Sequence, residues 1–480
     1  MSVRGKVSTK RVRLPTQLRV HLWTRPRLQQ WLVPVLVALV VAAVYTVFGV
    51  LQWRAFQSPS WDLGIFTQLA RQYASFQAPI VPIKGEGFNL LGDHFHPLLV
   101  LLGPIYALAP SAFTLVVVQN ILFGVSAAVV AVAATTILGR IAGPLVGLVY
   151  GFSWGLQGAA AVQFHEIAFA VPLLALSLSA VMNGRWRAAA LWAAPIVFVK
   201  EDLGLTVLMI GLVIAYRGPK PLGLAVALWG VIWFGIGTLI VLPLLNPNGE
   251  WAYTGSMDPL AMLTNPALLL DPQKLSTLWL LILIGGGMAL LSPLAAIALP
   301  TLAWRFLSSN EGYWGHEWQY SAVLMPIVFL AALEAIRRLR DAPTTRITPA
   351  WLHRYSAHAG TVIIVAGTLL IPQFALGRLA NPTAEFATDR AASAEGALAV
   401  IADDSRVESD IGLMTYLVDR TTVTYIGNPN AVPEYLVVDL YGGGLPAEWP
   451  DIQDVAAALH PLQSFRTIYS DGGYQVAVPE

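Results

Sequence analysis

Five short stretches of this chain carry side chains able to move protons, hold anions or bind cations, and they stand far apart in a sequence otherwise dominated by apolar residues. The first is Ser60-Trp61-Asp62-Leu63-Gly64-Ile65-Phe66-Thr67-Gln68. The second is Gly92-Asp93-His94-Phe95-His96-Pro97. Gln163-Phe164-His165-Glu166 and Lys200-Glu201-Asp202 follow, and the last runs from Asn310 to Tyr320, with Glu311, His316, Glu317 and Gln319. His94, His96, His165 and His316 are half of the eight histidines. Ionisable groups close to hydrocarbon are costly, so they tend to mark sites or pathways. Asp93, His96 and Glu166 supply hard or borderline donors that could take a divalent cation such as Mg²⁺ or Mn²⁺. Each stretch also has a plainer reading. Asp62 could cap a helix, Asp93 and His94 could bond a loop, and His165-Glu166 or Lys200-Glu201-Asp202 could mark the wet end of a span.

The elements that position these residues follow from composition. The chain has 480 residues, 56% of them apolar and 12% charged, with mean hydropathy +0.62. A soluble domain averages about 25% charged residues, so the apolar blocks read as membrane spans. There are no cysteines, which excludes disulfides and thiolate metal sites. No P-loop, dinucleotide-binding glycine fingerprint or His-Glu-x-x-His helix is present. Residues 1–30 carry eight Lys and Arg and no acid. Because this leader runs directly into an apolar block, it reads as a cytoplasmic anchor, not a nucleic-acid arm.

Blocks near 31–51, 112–135, 141–162, 167–182, 188–199, 203–216, 222–245, 275–288, 291–305, 319–336 and 358–375 predict about eleven transmembrane helices, with 98–110 lying in the interface. The count places Arg140, Arg185 with Arg187, Arg217 with Lys220, and Arg337, Arg338 and Arg340 on the cytoplasmic side, as basic turns should be. All five polar stretches then fall outside. No acid or histidine enters that assignment, so one shared external pocket is expected. The fold class expected is a polytopic α-helical membrane protein. Residues 1–30 form its basic segment, 31–375 its membrane domain with a large first external loop at 52–97, and 381–480 a small extracytoplasmic α/β domain. In that last domain, strands are expected over 396–401, 422–426 and 435–440, with a helix over 410–417.

Several of these motifs carry a resemblance. Asp62 through Gln68, Gly92 through Pro97, Phe164-His165-Glu166 with Phe169 and Pro172, Lys200-Glu201-Asp202, and Gln319-Tyr320-Ser321 before Pro326 resemble the DUF2079 family of bacterial membrane proteins, which is grouped with the GT-C-type glycosyltransferases. The resemblance implies a GT-C-like multispan enzyme of the plasma membrane with an extracytoplasmic site. It would take a sugar from a polyprenyl-phosphate donor and pass it to an envelope glycan, lipid or protein. By position Asp62 matches the family's base, with Asp93 as the competing candidate. The chain departs from relatives that carry paired acids there, since Trp61 precedes Asp62. Donor phosphate or sugar would be held from among His94, His165, Glu166, Lys200, Glu201, Asp202, Arg305, His316, Gln319 and Tyr320. Membrane lipids are expected partners, and nucleic acid is not. The alternatives are a lipid or glycan transporter or flippase, which predicts charges near the midplane, and a non-catalytic envelope assembly protein.

Overall fold

The computed structural model describes residues 29–58, 60–251, 253, 270–341, 349–442, 445–446 and 449–480. The basic leader up to residue 28, and Asp258 of the 246–274 loop, lie outside the described residues.

Among the described residues, four helices are long and apolar enough to cross a membrane, not about eleven. They are Trp31–Arg54, the stretch Ala112–Ala161, which doubles back at Gly139, Lys220–Leu245 and Ala350–Gln373. The other expected crossings are mostly shorter apolar helices: Glu166–Met182, Trp186–Phe198, Leu203–Arg217, Pro272–Ile284 and Pro293–Leu307, with Pro97–Leu108 of the same kind. A span needs about 20 apolar residues, and these fall short of it. Proline and glycine explain the shortness. Pro195 and Pro293 open 3₁₀ turns where a longer helix would have run on. Gly286 and Gly287, at φ 55° and 69°, stop the helix that ends at Ile284. The helix Leu324–Asp341 ends in Glu334, Arg337, Arg338, Arg340 and Asp341, and it is buried within the bundle over most of its length.

Small residues let these helices approach closely. At Gly139 the backbone leaves helical geometry (φ 91°, ψ 178°). The chain turns back there, so that Gly143 abuts Thr135 and Gly147 abuts Ala131. The helices on either side of Gly218 make a second hairpin, in which Gly211 meets Ala227 and Gly230 meets the Gly204 carbonyl. Such small-residue seams are how membrane helices gain packing where lipid is as apolar as any side chain.

Three helices set the axis of the molecule. Glu166–Met182, Leu203–Arg217 and Leu324–Asp341 each begin beside a polar stretch and finish at a basic turn. The basic turns meet one another. Arg217 pairs with the fully buried Glu334, which also accepts from Ser292. Arg337 donates to the Met182 carbonyl, and Arg340 donates to the Ile137 carbonyl at 2.7 Å. The polar stretches therefore share the opposite end.

The C-terminal region is an α/β unit. Its strands are β1 (Arg406–Ser409), β2 (Thr422–Tyr425), β3 (Tyr435–Asp439), β4 (Phe465–Asp471) and β5 (Tyr474–Pro479), in the order β2-β1-β3-β5-β4. The pairs β1–β2 and β1–β3 are parallel, while β5 runs antiparallel to β3 and β4. The strand expected over 396–401 is instead the end of the helix Ala391–Ala399. A short apolar run does not separate strand from helix by periodicity. The helix expected over 410–417 contracts to Met414–Leu417. The polar edge strand β4 gives no apolar alternation to detect.

This unit is fused to the first polar stretch. Leu63, Leu69 and Ile83 share a buried core with Met414, Leu417 and Val423. Gln68 ties three segments at once: its amide donates to the Val423 carbonyl (2.8 Å), and its oxygen accepts from the Ile83 amide (3.2 Å). Arg71 donates to the Thr421 carbonyl and Asn428 to the Ile83 carbonyl. Trp61 packs edge-on against Tyr425, with ring centroids 4.8 Å apart.

Candidate active site

Asp62 stands in the first turn of the helix Ser60–Ala74, and its carboxylate meets His165 across the chain. The distance from Asp62 Oδ2 to His165 Nε2 is 3.1 Å, while His165 Nδ1 lies 3.0 Å from the Gln163 carbonyl. A carbonyl can only accept, so Nδ1 carries a proton. Nε2 faces a carboxylate, so it carries one as well, and the pair is a carboxylate against an imidazolium. Gln163 adopts a left-handed φ of 66°, which turns its carbonyl toward the ring. Gln119 holds the same turn, donating to the Gln163 carbonyl at 2.9 Å and accepting from the His165 amide at 3.1 Å.

Three more acid–base pairs line the same cavity. Glu166 Oε1 lies 2.9 Å from Lys200 Nζ, Glu201 Oε1 lies 2.8 Å from His94 Nδ1, and Asp93 Oδ2 lies 3.1 Å from Lys84 Nζ. Glu201 also accepts from the Phe95 amide at 3.0 Å, and His94 stacks on Tyr253. Sequence reasoning missed Lys84, whose ammonium sits 5.9 Å from the Trp61 ring centroid and 5.7 Å from that of Phe88. Its separation from every apolar block hid it. The span Lys220–Leu245 reaches the site through Phe234. It loosens there into a π-helical turn, Gly237–Val241, with Gly237 against Glu201 and Phe95. Such turns gather at functional sites.

The cavity encloses about 340 Å³. Its charged wall is built from the pairs above. Its aromatic wall includes Trp304, Tyr313 and Tyr320, packed edge to face with centroids 4.9–5.7 Å apart. Leu205 and Phe234 line it from the membrane helices.

Of the residues singled out in the sequence, Asp62, Asp93, His94, His96, His165, Glu166, Lys200, Glu201, Asp202, Gln319 and Tyr320 all line this cavity. Two do not. His316 packs edge-on against Trp154 and Phe374, behind the wall. Arg305 is fully buried and turned away, donating to the carbonyls of Tyr313 (2.7 Å) and Gly315 (2.6 Å) and to Ser321 Oγ (3.0 Å). It shapes the loop that presents Tyr313, Gln319 and Tyr320. Its guanidinium is directed to that loop and does not line the cavity. The cation set Asp93, His96 and Glu166 does not fit a metal either. Asp93 and Glu166 are each neutralised by a lysine, and no group of three His, Asp or Glu side chains among the described residues is placed to hold an ion.

Environment sets the protonation states. Burial acts to raise the Asp62 carboxyl, but the His165 imidazolium and its hydrogen bond carry it below the usual carboxylate range. Burial opposes the charge on His165, and Asp62 with Glu166 overcomes it and raises the ring. Glu201 is likewise drawn down to about 2 against burial by His94. His96, 1% exposed, is pushed down to about 4 by burial and is neutral. Asp202 is the odd acid, raised by burial to about 6.

The fold and the site together define a multispan α-helical membrane protein with a charged, aromatic-walled cavity at one end of its bundle. The chain belongs to the family described as predicted membrane protein (DUF2079), whose model matches residues 52–460. Its fold is similar to that of ArnT from Cupriavidus metallidurans bound to undecaprenyl phosphate. The TM-score is 0.53 at 14% identity, over 94% of this chain and 98% of that one. The apo structure of the same protein matches with a TM-score of 0.52 at 13% identity over the same shares. No curated protein matches the sequence.

Proposed function

We propose that this protein is a GT-C-type glycosyltransferase that moves a sugar from a polyprenyl-phosphate donor to an acceptor at the cell envelope. The observation that carries this reading is the Asp62–His165 pair at the cavity, on a fold shared with a protein whose structure holds undecaprenyl phosphate. Asp62 is the base. Its side chain is 42% exposed, whereas that of Asp93 is 14% exposed and held by Lys84. His165 orients the Asp62 carboxylate and keeps it ionised. The acceptor hydroxyl attacks the anomeric carbon, its proton passes to Asp62, and the bond from that carbon to the phosphate oxygen breaks. The electron pair leaves with the polyprenyl phosphate. One direct displacement inverts the anomeric centre, and a phosphate leaving group needs no strong acid. Lys84 and Lys200 are the cations able to neutralise that phosphate. Leu205 and Phe234 offer the lipid chain an apolar approach.

The cavity end faces outside, because the basic turns at the other end follow the positive-inside rule. Purified protein given labelled polyprenyl-phosphate sugars and envelope extract is expected to transfer label and release polyprenyl phosphate. Release of neither product from any such donor overturns the reading. The cysteine-free chain also permits a clean topology test. A cysteine at Ser309 should react with an impermeant thiol reagent in intact cells and one at Arg140 should not, and the reverse labelling would invert the assignment.

A further inference from the structure

Four acids of the cavity, Asp62, Asp93, Glu166 and Glu201, are each paired with a base, and a second set of polar atoms is left with nothing to bind. Asp202 Oδ1, Gln319 Oε1, His96 Nδ1 and Trp304 Nε1 are all buried and have no hydrogen-bond partner among the described residues. All four side chains line the cavity. His96 is 1% exposed and Gln319 8% exposed, so bulk water does not satisfy them. Leaving a buried polar atom unpaired is costly, so four around one cavity point to a ligand that supplies the missing bonds. Their chemistry says what kind. Two are acceptors only, Trp304 Nε1 is a donor only, and the neutral His96 nitrogen is one or the other according to tautomer. A phosphate presents acceptor oxygens, which cannot satisfy the two acceptors of this set. A hydroxyl both donates and accepts, so several on one ring match a mixed set. The Trp304, Tyr313 and Tyr320 rings beside them offer apolar faces to the C–H side of such a ring.

Resting on the glycosyl-transfer reading, we propose that Asp202, Gln319, Trp304 and His96 form a subsite for the neutral, polyhydroxylated ring of the sugar, separate from the lysines that meet the phosphate. Gln319 and Asp202 accept from ring hydroxyls, and Trp304 donates to one. Asp202 is the strongest reader of the four. Its Oδ1 has no hydrogen-bond partner among the described residues, although Lys200 acts on the carboxyl from nearby, so a hydroxyl donor is its best available partner.

The test separates the two halves of the site in the full-length protein in detergent. Two probes are used: undecaprenyl phosphate without sugar, followed by calorimetry, and a panel of free neutral monosaccharides, followed by saturation-transfer NMR. Gln319→Leu and Trp304→Phe are each expected to weaken the best monosaccharide about tenfold, the equivalent of one lost hydrogen bond. Undecaprenyl phosphate should stay within about twofold under the same arithmetic. Gln319→Glu keeps the acceptor and the size and should retain saccharide binding, which guards against a folding defect in the leucine variant. Equal weakening of both probes, or unchanged saccharide binding in both variants, overturns the subsite while glycosyl transfer stands. Saccharide binding that depends on these residues, with no binding of undecaprenyl phosphate, overturns the donor assignment and leaves the subsite. Wild-type protein that binds neither probe overturns both.

Discussion

At the basic end of the bundle, Arg217 and Ser292 both reach the buried Glu334, and Arg337 and Arg340 end on the carbonyls of Met182 and Ile137. These long cations are spent on groups that the chain itself supplies. At the cavity end Asp62, Asp93, Glu166 and Glu201 are also paired, but the pairs surround open space. Asp202, Gln319, His96 and Trp304 line that space, and each has a buried polar atom with no partner among the described residues. The contrast separates two uses of buried polarity. A network closed on itself fixes how helices dock, whereas one with surplus donors and acceptors is completed by a ligand.

The comparison predicts that variants at the cavity end lose function first and variants at the basic end lose stability first. The largest effect is expected for Asp62→Asn. Loss of a general base lowers turnover about 10²–10⁴-fold, with thermal unfolding in detergent little changed. A turnover within a few-fold of wild type would remove Asp62 from the chemistry. Next comes Arg217→Ala, which strands Glu334 in the bundle and should cost about 3–5 kcal/mol of stability. Ligand binding in the surviving folded fraction should be unchanged. The double change Arg217→Met with Glu334→Leu should recover most of that loss, and failure to recover it would mean that the pair does more than hold helices together.

Smaller effects sharpen the picture. Gln68→Ala removes the amide that joins Ile83 and Val423, leaving a buried backbone group unpaired at about 1–3 kcal/mol. Hydrogen exchange should quicken in β2 and in the 82–84 turn together, and exchange confined to one of them would break the proposed bracing of the site by the α/β unit. The smallest effect is a gain. Asp202 has its carboxyl raised to about 6, so its ionised form is disfavoured by the fold relative to the unfolded chain, where it titrates near 3.9. Above pH 6 the fold carries that penalty. As pH falls through 6 toward 4 the penalty disappears. Asp202→Asn should therefore stabilise the protein by about 1–3 kcal/mol at pH 7 and by little at pH 4. Unfolding midpoints measured across that range will show the slope or its absence.

Much of the site was legible in the residue order. Polar stretches that an apolar chain does not carry casually, placed on one side by basic turns, led to Asp62, His165, Glu166, Lys200 and Asp202, and these share a cavity. The span count was not legible. Apolarity marks burial in protein as readily as burial in lipid, and helices of 10–17 residues such as Leu203–Arg217 satisfy it without crossing upright. Arg305 and His316 look like Lys200 in sequence, since each is a cation or a titratable ring near a helix end. Packing alone turned Arg305 onto carbonyls and His316 behind Trp154.

The sequence by itself determined the membrane class, the grouping of the ionisable residues and the presence of an α/β unit at the C-terminus. Each of these follows from composition and local pattern, which need no partner. The tertiary structure decided which acid meets which base, brought Lys84 into the cavity, and set β2 against the helix that bears Asp62. Those outcomes depend on contacts between residues hundreds of positions apart, such as Gln68 with Val423, and no local pattern encodes them.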